Sequence, residues 1–87
     1  MELDALLLHY FNTDRVDALS SQALRDGNER LRIDFGVERD PGRRFALWTL
    51  LEALGDAPSP AEAFPKHPEL RRAAEDYLSA AWKLTRD

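Results

Sequence analysis

Residues 40–55 read DPGRRFALWTLLEALG and contain a helix start, an apolar body and a helix stop. Asp40 can accept hydrogen bonds from the first free backbone N–H groups, and Pro41 has the φ that a first helical turn requires. Gly55 can adopt the left-handed conformation that closes a helix. The residues between these signals are apolar around most of the circumference, which is typical of a buried helix. The stretch therefore predicts the central helix of an all-α fold, over residues 41–54.

On both sides of this segment, apolar residues recur at the three- and four-residue spacings of amphipathic helices. The spacings predict helices at residues 3–11, 21–36 and 68–85, with short turns near residues 14–19 and 60–64. The apolar stripe of the last helix consists of Leu70, Ala73, Ala74, Tyr77, Leu78, Ala81, Trp82 and Leu84. No run has the period of two that is typical of a β-strand. The sequence predicts an all-α fold, a compact bundle of four to five short helices.

Gly27 lies within the second predicted helix, on or near its buried face. Glycine in a helix interior costs about 1 kcal/mol relative to alanine. A glycine at such a position is explained if another helix crosses there at a short distance, because a side chain would then have no room. We therefore expect a close helix crossing at Gly27.

The chain has 87 residues, enough for one domain but too few for two, and we predict a single helical domain over residues 1–87. It contains no cysteine, which excludes disulfides, a thiolate nucleophile and a cysteine-based metal site. The first four residues include two acids where a secretory signal would be basic. No apolar run approaches the roughly 18 residues needed to cross a bilayer. We expect a cytoplasmic protein that does not enter the membrane.

The sequence contains no recognisable set of catalytic groups. Its two histidines, His9 and His67, stand in no metal-binding spacing. The serines lack the glycine-flanked setting of a nucleophile, and the paired carboxylates lie on hydrophilic helix faces, where we expect them to be solvated. No glycine-rich phosphate-binding loop is present. We predict a protein that is not an enzyme and has no cofactor and no metal.

Arg39, Arg43 and Arg44 surround the start of the central helix. Guanidinium groups beside free backbone N–H groups at a helix N-terminus can hold a phosphate or a carboxylate. In the other interpretation, the three arginines form a solvated cluster that pairs internally with Glu38 and Asp40. We treat the three arginines as candidate contacts for an acidic partner.

The first predicted helix is apolar on two sides, and a small interior has limited room for both of them. A leftover apolar strip would be a contact surface for a second copy of the chain or for a different protein. Leu7, Tyr10 and Phe11 are the candidate contacts on this helix. The favoured function is a non-catalytic adaptor or regulator of bacterial type that acts through protein–protein contact, including formation of a homodimer.

The alternative is a nucleic-acid-binding transcriptional regulator that uses an arginine-bearing pair of helices. Its candidate residues are Arg25, Arg30, Arg32, Arg43 and Arg44. Acidic residues interrupt the same window, whereas binding to the phosphate backbone favours an uninterrupted positive stripe. The net charge of −4 also repels nucleic acid at long range. We therefore favour a protein partner over a nucleic acid.

Overall fold

The structure is a computed structural model that describes residues 3–13 and 15–85. These residues form five α-helices and one 3₁₀ helix. The α-helices are α1 (Leu3–Phe11), α2 (Ser21–Val37), α3 (Pro41–Ala53), α4 (Pro60–Ala63) and α5 (Pro68–Thr85), and the 3₁₀ helix is Val16–Ala18. Because the described residues contain no strand, the all-α prediction is confirmed. The side chains of Ala81, Trp82 and Leu84, predicted to extend the stripe of α5, lie outside the described part of the chain.

The predicted start and stop of the central helix are confirmed. The Asp40 carboxylate accepts a hydrogen bond from the backbone N–H of Arg43 at 2.9 Å. Gly55 has a φ of +78°, in the left-handed region. The N–H groups of Gly55 and Asp56 donate to the carbonyl oxygens of Glu52 and Leu51, both at 3.0 Å. This pair of bonds is a Schellman motif, which satisfies the last carbonyl groups of α3.

Close contacts divide the chain into two units, Met1–Ala57 and Pro58–Asp87. In the first unit α1 packs against α2 and α3, and α2 packs against α3. The buried apolar side chains of this unit are Leu6, Tyr10, Phe11, Leu31, Phe35, Leu47, Trp48, Leu50 and Leu51. In the second unit α4 packs against α5, and the buried residues among its described side chains are Ala63, Phe64 and Ala74. The single domain over residues 1–87 stays a prediction.

Helix α1 crosses α2 at Gly27, as the sequence predicts. A Cβ atom at Gly27 would overlap the ring of Phe11 and would lie 2.9 Å from the carbonyl oxygen of Tyr10. The absence of a side chain at Gly27 therefore lets the two backbones approach and places the Phe11 ring in the interior.

A candidate contact site between α1, α2 and α3

A cleft of about 470 Å³ opens between α1, α2 and α3 in the first unit. Its lining residues are Ala5, Leu6, His9, Tyr10, Asp34, Val37, Glu38, Arg43 and Leu47. The volume falls within the range of roughly 300–1,000 Å³ that is typical of ligand pockets. Apolar walls and charged groups thus lie close together in one concave surface.

Tyr10 and Asp34, both lining residues of the cleft, are joined by a direct polar contact. The Tyr10 hydroxyl donates a hydrogen bond to Oδ2 of Asp34 at 2.6 Å. Burial of Tyr10, followed by this hydrogen bond and the negative charge of Asp34, raises the pKa of Tyr10 far above its usual value of 10.0. The hydroxyl therefore stays protonated at neutral pH and holds the carboxylate in one orientation. Among the described residues, Oδ1 of Asp34 has no hydrogen-bond partner.

Glu38 and Arg43 form an ion pair on the α3 side of the cleft. The Arg43 Nε atom lies 3.2 Å from Oε1 of Glu38. The other carboxylate oxygen, Oε2, accepts hydrogen bonds from the backbone N–H groups of Arg39 at 3.1 Å and Asp40 at 3.2 Å. Through these contacts Glu38 stabilises the short connection between α2 and α3. Together with Asp34, the lining contains two carboxylates and one guanidinium group, so the net charge of these three groups is negative.

The Tyr10–Asp34 contact predicts a loss of stability at alkaline pH. Because folding raises the pKa of Tyr10, its contribution to the free energy of unfolding is fully present below pH 10 and declines as the pH rises further. We expect Tyr10→Phe to lower that free energy by about 1 kcal/mol at pH 7 and to flatten the decline above pH 10. Urea unfolding at several pH values measures both effects. Tyr77→Phe, which removes the other tyrosine hydroxyl, is the control, and an unchanged decline in Tyr10→Phe would contradict the prediction.

The structure corrects the placement of two predicted contact residues. Tyr10 and Phe11 are only 5% and 6% exposed, so they do not form an exposed apolar strip. The close crossing at Gly27 is the physical reason, because it draws α1 against α2 and buries both rings. Tyr10 still reaches the cleft through its hydroxyl, and Leu7 is half-buried. The role of Leu7 in a contact stays a prediction.

Arg44, predicted to contact an acidic partner, bonds to its own chain instead. Its guanidinium group lies over the ring of Phe35, with 4.1 Å between Cζ and the ring centroid. The Nη1 atom donates to the carbonyl oxygens of Phe35 and Glu38 at the end of α2. Arg43 and Arg44 therefore both make contacts within the chain, as the second interpretation predicts, and their contact with a partner stays a prediction. Arg39 is exposed, and its contact with a partner stays a prediction.

Several arginines of the nucleic-acid alternative also make contacts within the first unit. Arg30 donates to the carbonyl oxygen of Tyr10 at 2.6 Å, at the end of α1. Arg32 lies 3.4 Å from the carboxylate of Asp56. These contacts distribute the guanidinium groups over separate helix ends, which gives the alternative less support than a continuous basic surface would.

Exposed apolar side chains lie on α1 and α2, two of the three helices that form the cleft. Leu8 is 51% exposed, Ile33 59% and Val37 73%. Ile33 and Val37 are four residues apart and share one face of α2, and Val37 lines the cleft. Ile33 and Val37 were not among the contacts predicted from the sequence. Their exposure could have been predicted, because they lie outside the four-residue repeat of the buried positions Gly27, Leu31 and Phe35.

Comparison of the chain with protein-family models, with curated proteins and with solved structures finds no match. No helix within residues 3–13 and 15–85 combines the length and apolar character that a membrane span requires. The same residues contain no group of histidine and acidic side chains suited to a metal ion. The functional interpretation therefore depends on the cleft and its surroundings.

Proposed function

We propose that this protein is a non-catalytic adaptor or regulator of bacterial type that binds another protein. The contact surface is the cleft face, which we define as the cleft lining together with Ile33. The exposure of Val37, 73% at the edge of the cleft, is the observation that carries the proposal. An exposed apolar edge beside a concave surface that also carries polar groups is typical of protein contact sites.

The polar groups of the cleft are arranged for recognition. The Tyr10 hydroxyl is bonded to Asp34, and its raised pKa leaves it a poor base or nucleophile at neutral pH. The Glu38 carboxylate is occupied by backbone N–H groups and by Arg43. These contacts support a fixed binding surface over proton transfer. A chain without cysteine suits a reducing compartment, and we propose that the protein acts in the cytoplasm.

The double variant Ile33→Glu/Val37→Glu tests the proposal. Both side chains are exposed, so the variant is expected to fold while placing two charges in the contact. Proteins that co-purify with the tagged wild type from a cell extract are then purified, and their affinities for both forms are measured. We expect the double variant to bind at least tenfold more weakly. If the partner is a second copy of the chain, light scattering should show a dimer for the wild type and weaker dimerisation for the double variant.

The matched control is Gln22→Glu/Arg25→Gln, which lowers the net charge by the same two units in the first half of α2. Its residues are exposed and lie outside the cleft lining. We expect it to bind the partner as the wild type does. If the wild type and the Ile33→Glu/Val37→Glu variant bind every partner equally, or neither binds any protein or itself, the proposed function is wrong.

A further inference from the structure

We infer that the cleft receives one lysine or arginine side chain from a protein segment, and that an apolar neighbour in that segment covers Val37. The inference rests on the proposed function and specifies the chemistry of its partner. It reverses the charge expected from the sequence, where Arg39, Arg43 and Arg44 indicated an acidic partner. Arg43 and Arg44 are paired within the chain, whereas the cleft itself has an excess of carboxylate.

Charge in the cleft favours a cation. Asp34 and Glu38 carry two negative charges. Arg43 is the one arginine in the lining, which contains no lysine, and it carries a single positive charge. The whole chain has a net charge of −4, which also attracts a basic partner at long range. Glu38 is compensated by Arg43 at 3.2 Å, so the uncompensated carboxylate is that of Asp34.

The Asp34 carboxylate is oriented by one hydrogen bond and can accept another. Tyr10 fixes Oδ2 at 2.6 Å, and Oδ1 has no partner among the described residues. A carboxylate that is already oriented loses little conformational freedom when a cation binds. An ammonium or guanidinium N–H to Oδ1 would be a charge-assisted hydrogen bond, which is stronger than a neutral one.

The apolar part of the lining fits the rest of such a side chain. Leu6, Val37 and Leu47 provide walls along which the methylene groups of lysine or arginine can pack while the charged end reaches Asp34. Ile33 and Val37 extend the apolar surface beyond the cleft. A free amine of low molecular weight would leave this surface uncovered, whereas a peptide segment would cover it.

Peptide titrations test the inference. The probes are acetyl-Ala-Leu-Arg-Leu-Ala-amide and its counterparts with glutamine or glutamate in place of arginine. In ¹H–¹⁵N NMR spectra of the full chain at low salt, we expect the arginine peptide to shift the amide signals of the cleft residues. Its affinity should exceed that of the glutamine peptide about tenfold, and the difference should decrease in high salt.

Three variants determine whether the cleft is the site. Asp34→Asn keeps an oxygen that can accept from Tyr10 but removes the charge, and we expect about tenfold weaker binding of the arginine peptide. Arg43→Gln removes the internal cation, and we expect several-fold tighter binding. Asp26→Asn makes the same charge change on an exposed part of α2 outside the cleft and should leave the affinity unchanged. Because two variants shift the affinity in opposite directions, impaired folding of one cannot account for the result.

Equal affinity for the arginine and glutamine peptides, or equal effects of Asp34→Asn and Asp26→Asn, would overturn the inference. Binding of butylguanidinium as tightly as the arginine peptide would overturn its peptide part in favour of a small cation. No binding of any peptide also overturns it. These outcomes leave the proposed function intact, since that depends on whether the Ile33→Glu/Val37→Glu variant loses its partner.

Discussion

Gly27→Ala is expected to destabilise the protein by about 2 kcal/mol or more, although alanine favours helices by about 1 kcal/mol over glycine. The added methyl group would overlap the Phe11 ring and would approach the carbonyl oxygen of Tyr10 to 2.9 Å. The Phe11 ring is buried and the Tyr10 oxygen belongs to the backbone of α1. Relief of the overlap would therefore require α1 to move away from α2.

Gly36→Ala is the matched control in the same helix. A Cβ atom at Gly36 would have no neighbour within 4 Å, and its φ is not in the left-handed region. We expect this variant to gain up to about 1 kcal/mol from helix propensity. The free energy of unfolding in urea, measured for both variants, checks the pair. Equal stabilisation by the two substitutions would show that α1 does not cross α2 at Gly27.

The helix boundaries could be predicted because their signals are local in sequence. Asp40, Pro41 and Gly55 define α3 through contacts with residues at most four positions away. Ser20 and Ser59 accept from the N–H groups of Ala23 and Glu62 in the same way. Gly27 was interpretable for a different reason, since a costly residue inside a helix indicates a steric requirement.

The cleft could not be predicted because its contacts join distant residues. Tyr10 meets Asp34 across 24 positions, and neither residue has a neighbour in sequence that indicates the other. The apolar pattern of α1 placed Tyr10 and Phe11 on apolar sides of the helix without showing which side would be buried. The arginines posed the same problem, because a guanidinium at a helix start can bind an external anion or an internal carbonyl group.

Arg44→Met should show that this arginine stabilises the fold, with an expected loss of about 2 kcal/mol in the free energy of unfolding. Methionine retains much of the side-chain volume but removes the charge over the Phe35 ring, 4.1 Å away. It also leaves the carbonyl oxygen of Phe35 without the part-buried hydrogen bond from Nη1. Arg44→Lys should lower the free energy of unfolding by less, because an ammonium group keeps the positive charge. Some loss is still expected, because lysine lacks the planar group that lies over the ring.

Arg39→Met is the control, because Arg39 is exposed and its side chain has no partner within the described residues. We expect it to change the free energy of unfolding by less than about 0.5 kcal/mol. Amide hydrogen exchange locates the effect: protection in the last turn of α2 should fall in Arg44→Met and remain in Arg39→Met. Similar stability of the two variants would contradict a stabilising role for Arg44. The acidic partner expected from the sequence would then regain support. It would be an alternative to the basic segment that we infer from the cleft.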